Sequence, residues 1–240
     1  MGNYNLNIPA KDISSPESRN SWVSVLNNIK NSFGKSIAYS AYLTKVPSEV
    51  IASSIAVLSG GNPNARKGQD NQGLMAWDYK FMNNIVQGEK RMGRISPSEL
   101  DYLKKFNLSF PNDGFALNRR ITPADQLNSE LNIFLGSMYL GQLLDSYHSG
   151  GNSSPLSKSP NKKWAIDNGT IRLDRVIGVY LTGPRGEENE GKIIRLENIP
   201  SSKALTDKLP SILSTKIKSL VGLNGALDVT TKELANQFVL

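Results

Sequence analysis

The stretch from Thr122 to Tyr147 constrains this chain more than any other. It carries Leu127, Leu131, Phe134, Leu135, Met138, Leu140, Leu143 and Leu144. At helical spacing these residues cover a wide arc rather than a narrow stripe, so a helix here must be deeply buried. Thr122-Pro123 supplies its start. The rest of the chain therefore has to provide elements that cover it.

The first of these lies between Val46 and Trp77. Ile51, Ile55 and Leu58 recur at i, i+4 and i+7, one face of a helix. Ser48 suits its N-cap, and Glu49 in the first turn suits the positive end of the dipole. Gly60-Gly61 predicts a left-handed C-cap, and Pro63 blocks resumption. A polar loop follows, and Gly73-Leu74-Met75 opens a second helical run in which Trp77, Phe81, Met82 and Ile85 are apolar, to Val86.

Elsewhere the local signals are shorter. Residues 1–19 are polar with Pro9 and Pro16, and read as an extended arm. Trp22, Val23, Val25, Leu26 and Ile29 predict a helix over 21–33, with 35–43 continuing it after Gly34. Ser96-Pro97-Ser98-Glu99 combines an N-cap serine, a first-turn proline and a glutamate three residues on. Leu100, Leu103 and Phe106 form that helix's apolar face, and 107–124 read as mostly loop. Residues 148–168 are rich in Ser, Gly, Asn, Pro and Lys. Further on, 192–196 suit an extended edge, 203–221 a helix broken at Pro210, and Thr230 with Glu233 a last capping box.

Composition narrows the function classes. The chain has no cysteine and one histidine, His148. Disulfides, thiolate metal sites, cysteine nucleophiles and histidine metal clusters fall away together, and neither a metal nor a cofactor is expected. At 38% hydrophobic the chain can build a core. No apolar run reaches the roughly 18 residues of a membrane span, and MGNYNLNIPAKDISS lacks the pattern of a secretory signal. The net charge of +7 favours polyanionic company. Its basic residues occur as pairs, Arg119-Arg120 and Lys162-Lys163, rather than runs, so a nucleic-acid interface is not expected.

Three stretches carry a family resemblance. Ile55-Ala56-Val57-Leu58-Ser59-Gly60-Gly61-Asn62-Pro63-Asn64-Ala65, followed by Gln72-Gly73-Leu74-Met75, resembles the core motif of the soluble lytic transglycosylases. Asn132-Ile133-Phe134-Leu135-Gly136-Ser137-Met138-Tyr139-Leu140 resembles the second motif, and Val176 to Pro184, with Tyr180, Gly183 and Pro184, the third. The order matches, although the gaps 76–131 and 148–175 are longer than the family's.

The resemblance implies a mainly α, lysozyme-like core over 47–184. An N-terminal arm and helix over 1–46 and a C-terminal extension over 185–240 flank it. It implies a cleft lined by Ser59, Gln72, Gly73, Met75, Ala76, Tyr139, Tyr180 and Leu181. The face that holds Asn132, Gly136, Tyr139 and Leu143 suits a plain core seam equally well. The family's single acid, a glutamate that protonates the glycosidic oxygen of peptidoglycan, falls at Leu58. The family's Gln and Asn fall at Ala76 and Leu181. A leucine can neither give nor take that proton.

Three readings follow. The first is an inactive relative kept as a structural or interaction module. Family habit places such a module in a bacteriophage virion or tail among other assembly proteins, or failing that in the bacterial cytoplasm. The second is an active peptidoglycan transglycosylase with a displaced carboxylate, for which Asp70, Asp78 and Glu130 are the candidates. The third is a non-catalytic glycan binder that uses Tyr139 and Tyr180.

Overall fold

The computed structural model describes residues 6–7, 16–148, 166–167, 170–172, 176 and 180. They form a mainly α-helical structure. β1 (Leu6–Asn7) precedes α1 (Pro16–Thr44) and α2 (Ser48–Ser59). After a polar loop, β2 (Asn71–Gln72) and β3 (Trp77–Asp78) lead into α3 (Tyr79–Arg91) and α4 (Pro97–Lys104). α5 (Pro123–Gln126) and α6 (Ser129–His148) follow, then β4 (Ile166–Asp167) and β5 (Thr170–Arg172).

α6 is the central helix, as its apolar arc requires. Every residue from Leu131 to Gly141 is buried. Leu131, Ile133, Phe134, Leu135, Leu140, Leu143 and Leu144 are fully so. Each such side chain contributes roughly 1.5–3 kcal/mol relative to exposure. α1 packs along both α2 and α6. It runs unbroken through Gly34 and begins at Pro16, so the expected arm is shorter than 19 residues. Leu6 and Asn7 pair in parallel with Ile171 and Arg172 of β5, which itself pairs antiparallel with β4. No helix among the described residues is long and apolar enough to cross a membrane.

Several local expectations hold. Gly60 is the left-handed C-cap of α2, with φ of 62°. The Ser96 and Glu99 capping box is complete, and Ser96 N–H donates to Glu99 Oε2 at 2.8 Å.

Others are corrected. Pro47, not Ser48, caps α2, and it does so without a side-chain hydrogen bond. Met75 does not open a helix: Gln72 and Trp77 face each other in a short antiparallel ladder, and α3 starts only at Tyr79. Asp78 caps it, its Oδ1 accepting from Phe81 N–H at 2.8 Å. The single helix expected over 122–147 is two. Asn128 interrupts it and caps α6, its side chain accepting from Leu131 N–H at 3.1 Å. The expectations for 192–196, 203–221 and 230–233 lie outside the described residues, as does most of 148–168.

Candidate functional site

Met75 is where three stretches distant in sequence meet. Its N–H donates to Asn132 Oδ1 at 2.7 Å, and its carbonyl accepts from the Tyr180 hydroxyl at 3.0 Å. Asn132 lies in the first full turn of α6 and is completely buried. Its Nδ2 donates to Gln126 O at 2.8 Å, and its own carbonyl accepts from the Trp77 indole at 2.9 Å. One amide thus ties the loop before α3 to the α5–α6 junction. Removing it would orphan buried backbone groups at about 1–3 kcal/mol each.

Two glycines let these chains approach. Gly73 has φ of 85°, a conformation that costs a side chain strain. A Cβ there would also run into Gln126 O and the Asn132 amide. At Gly136 a Cβ would stand 2.6 Å from Met75 Sδ and 2.9 Å from the Tyr180 hydroxyl. α6 therefore touches the Met75 loop along a seam that only glycine permits.

Gln72 is buried and spans the loop. Its Nε2 donates to Pro123 O at 2.9 Å and to Gln126 Oε1 at 3.1 Å, while its Oε1 accepts from Gly68 N–H at 2.8 Å. Gln126 in turn donates to the carbonyls of Asp70 and Trp77. Ala76 is buried with φ of 48°, held there by the ladder on either side. The ring of Tyr139 lies 5.0 Å from that of Tyr180 and meets Phe81 edge-on.

The polar groups that meet Met75 are the Asn132 side-chain amide and the Tyr180 and Ser137 hydroxyls. Burial pushes the Tyr139 and Tyr180 hydroxyls far above the ordinary phenol value, so both stay neutral. They can donate hydrogen bonds but cannot serve as bases. The Tyr139 hydroxyl is buried and has no partner among the described residues.

Leu58, in the last turn of α2, is 4% exposed and belongs to the main apolar core. Beside it Ser59 bonds locally, donating to Ile55 O at 2.9 Å and accepting from Gly61 N–H at 3.2 Å. Leu181 lies outside the described residues. Of the expected cleft residues, Gln72, Gly73, Met75, Tyr139 and Tyr180 form one connected group.

The three candidate replacement acids have other placements. Asp78 caps α3, whereas Asp70 and Glu130 are exposed, Glu130 in the first turn of α6.

One acid was not singled out from the sequence. Glu89, near the end of α3, has a side chain only 8% exposed. It accepts from Gln142 Nε2 at 2.6 Å and pairs with Arg94 at 3.2 Å. Burial pushes its carboxyl above the usual range, and the nearby Glu99 and Asp145 charges add to that rise, against Arg94 and Gln142. Its spacing held the signal: Met82, Val86 and Glu89 fall at i, i+4 and i+7, on the apolar stripe of α3. It lines a pocket of about 360 Å³ between the end of α1, the α3–α4 turn and α6. That pocket includes none of the residues at the Met75 junction.

No protein-family model matches the chain, and no curated protein matches it either.

Proposed function

We propose that this chain is a lytic-transglycosylase-like module with a lysozyme-like core that has lost its catalytic acid and serves as a structural or interaction component. The observation that carries the reading is Leu58. It stands where the resemblance puts the sole proton donor, and it is a buried core residue rather than a titratable one. Positioned acid–base catalysis is worth roughly 10²–10⁴-fold, and leucine supplies none of it.

Support for the scaffold comes from Met75. The three motifs lie far apart in sequence, yet Met75, Asn132, Gly136 and Tyr180 meet at one point. Three chance matches would have no reason to do so. The glycan-binder reading gains less support, because Tyr139 and Tyr180 are buried. Placement in a phage virion or tail rests on the habit of the family, and assembly proteins are the partners it implies.

A turbidity assay on purified peptidoglycan tests the reading. Suspensions should not clear. Clearing that is lost in Asp70→Asn or Asp78→Asn would favour the displaced-carboxylate enzyme instead.

A further inference from the structure

Three of the methionines among the described residues are sealed in the core: Met75 and Met82 are 0% exposed and Met138 is 6% exposed. Met92 is 39% exposed. It is the C-cap of α3, at the start of the α3–α4 turn, away from the Met75 junction. A thioether is soft and polarizable, and peroxides convert it to a sulfoxide wherever they can reach it.

The neighbour of the Met92 sulfur gives that reaction a consequence. Arg94 Nη2 donates to the Met92 thioether, and the same nitrogen lies 3.2 Å from Glu89 Oε1. One guanidinium nitrogen thus serves two acceptors, a weak one within reach of solvent and a charged one that is buried. Gln142 Nε2 donates to that same Glu89 oxygen at 2.6 Å, while Glu99 from α4 and Asp145 from α6 add negative charge nearby. Lys45 lines the same pocket, but its ammonium donates to Tyr42 O at 2.7 Å. The Arg94 and Glu89 pair also closes the turn through its backbone: Arg94 N–H donates to Glu89 O at 3.0 Å.

Oxidation changes the competition for the shared nitrogen. A thioether sulfur accepts hydrogen bonds weakly. A sulfoxide is polar, and its oxygen is a far stronger acceptor on the same side chain. We propose that Met92 is an oxidation-sensing site, whose sulfoxide draws the Arg94 guanidinium away from Glu89 and so loosens the α3–α4 turn. The oxidant is hydrogen peroxide. The sulfur lone pair attacks one peroxide oxygen and forms the S–O bond as the O–O bond breaks. The proton of the transferred oxygen passes to the departing hydroxide, which leaves as water. Sulfur is oxidised by two electrons and the peroxide is reduced by two. A methionine sulfoxide reductase reverses the step.

Peroxide titration of the full chain, followed by peptide mapping with mass spectrometry, tests the site. Met92 should be oxidised about tenfold or more faster than Met75, Met82 and Met138. Thermal melts at neutral pH test the coupling. At a dose that oxidises Met92 alone, wild type should melt about 2–4 °C lower, and Met92→Leu should not shift. Arg94→Gln should shift much less than wild type, because it has no ion pair left to break. Mere loss of packing at Met92 would shift both alike. NMR of the wild-type chain gives a second readout, which stands even if Arg94→Gln does not fold. The Glu89 carboxyl should titrate higher after oxidation, since the cation that faces it has turned away. Similar oxidation rates at the four methionines, equal melting shifts in wild type and Arg94→Gln, or an unmoved Glu89 titration overturns the inference.

Discussion

The Tyr180 hydroxyl donates a hydrogen bond to the Met75 carbonyl at 3.0 Å, across 105 positions of sequence. Directly beneath it, Gly136 leaves no room for even a methyl group. The bond and the gap belong together: the phenol reaches Met75 only because α6 presents no side chain there. Gly136→Ala should therefore overpack the seam and destabilise the chain by about 1–3 kcal/mol. Urea denaturation followed by circular dichroism measures it. A loss no larger than that of a Gly88→Ala control, where an added methyl group would meet nothing within 4 Å, would count against the close approach.

The buried Asn132 side chain bonds to three backbone groups, the Met75 N–H and the carbonyls of Gln126 and Gln72. Asn132→Ala removes the acceptor for Met75 N–H and the donor to Gln126 O, and it leaves a cavity in a buried helix. A loss of about 2–4 kcal/mol is expected, since each buried group left unpaired costs about 1–3 kcal/mol. Hydrogen exchange should show the Met75 amide losing protection first.

Acid should act through Asp125. Burial alone would raise its carboxyl, but the Arg119 guanidinium at 2.8 Å and the Thr122 N–H and hydroxyl outweigh it and hold it below the ordinary value of 3.8. A carboxyl lowered by folding adds stability that is complete above its unfolded pKa. That stability is lost as pH falls through the folded one. Wild type should thus lose stability below about pH 4, and Asp125→Asn, weaker at neutral pH, should show a flatter profile in that range. Thermal melts between neutral pH and pH 3 compare the two.

Leu58→Glu places a carboxyl in the apolar core. Leu58 is 4% exposed, and an unpaired buried charge costs several kcal/mol. The introduced group would favour its neutral form, so the loss should grow as pH rises. Melting the variant at two pH values reads this directly. A variant as stable as wild type at neutral pH would mean that position 58 opens onto water or a polar partner.

The features legible in the sequence are those that local chemistry decides. The apolar arc of α6, the Gly60 stop and the Ser96–Glu99 box each follow from residues within a turn or two. The missed features were set by distant partners. Trp77 looks helical, but its indole bonds to Asn132 O and holds it in the ladder. Asn128 breaks the expected long helix with a cap that the surrounding leucines mask in the pattern. Gln72 reads as one more polar loop residue until Pro123 and Gln126 arrive beside it. Glu89 is hidden for a different reason. A carboxylate on an apolar stripe reads as the end of a helix unless the helix is followed one turn further.

On the proposed reading, a wall-cutting architecture persists here without its proton donor. Mass spectrometry of peptidoglycan incubated with the wild-type chain tests it most directly. The expected spectrum contains no 1,6-anhydro muropeptides beyond those of the untreated wall. Their accumulation with time and with protein concentration would contradict the account.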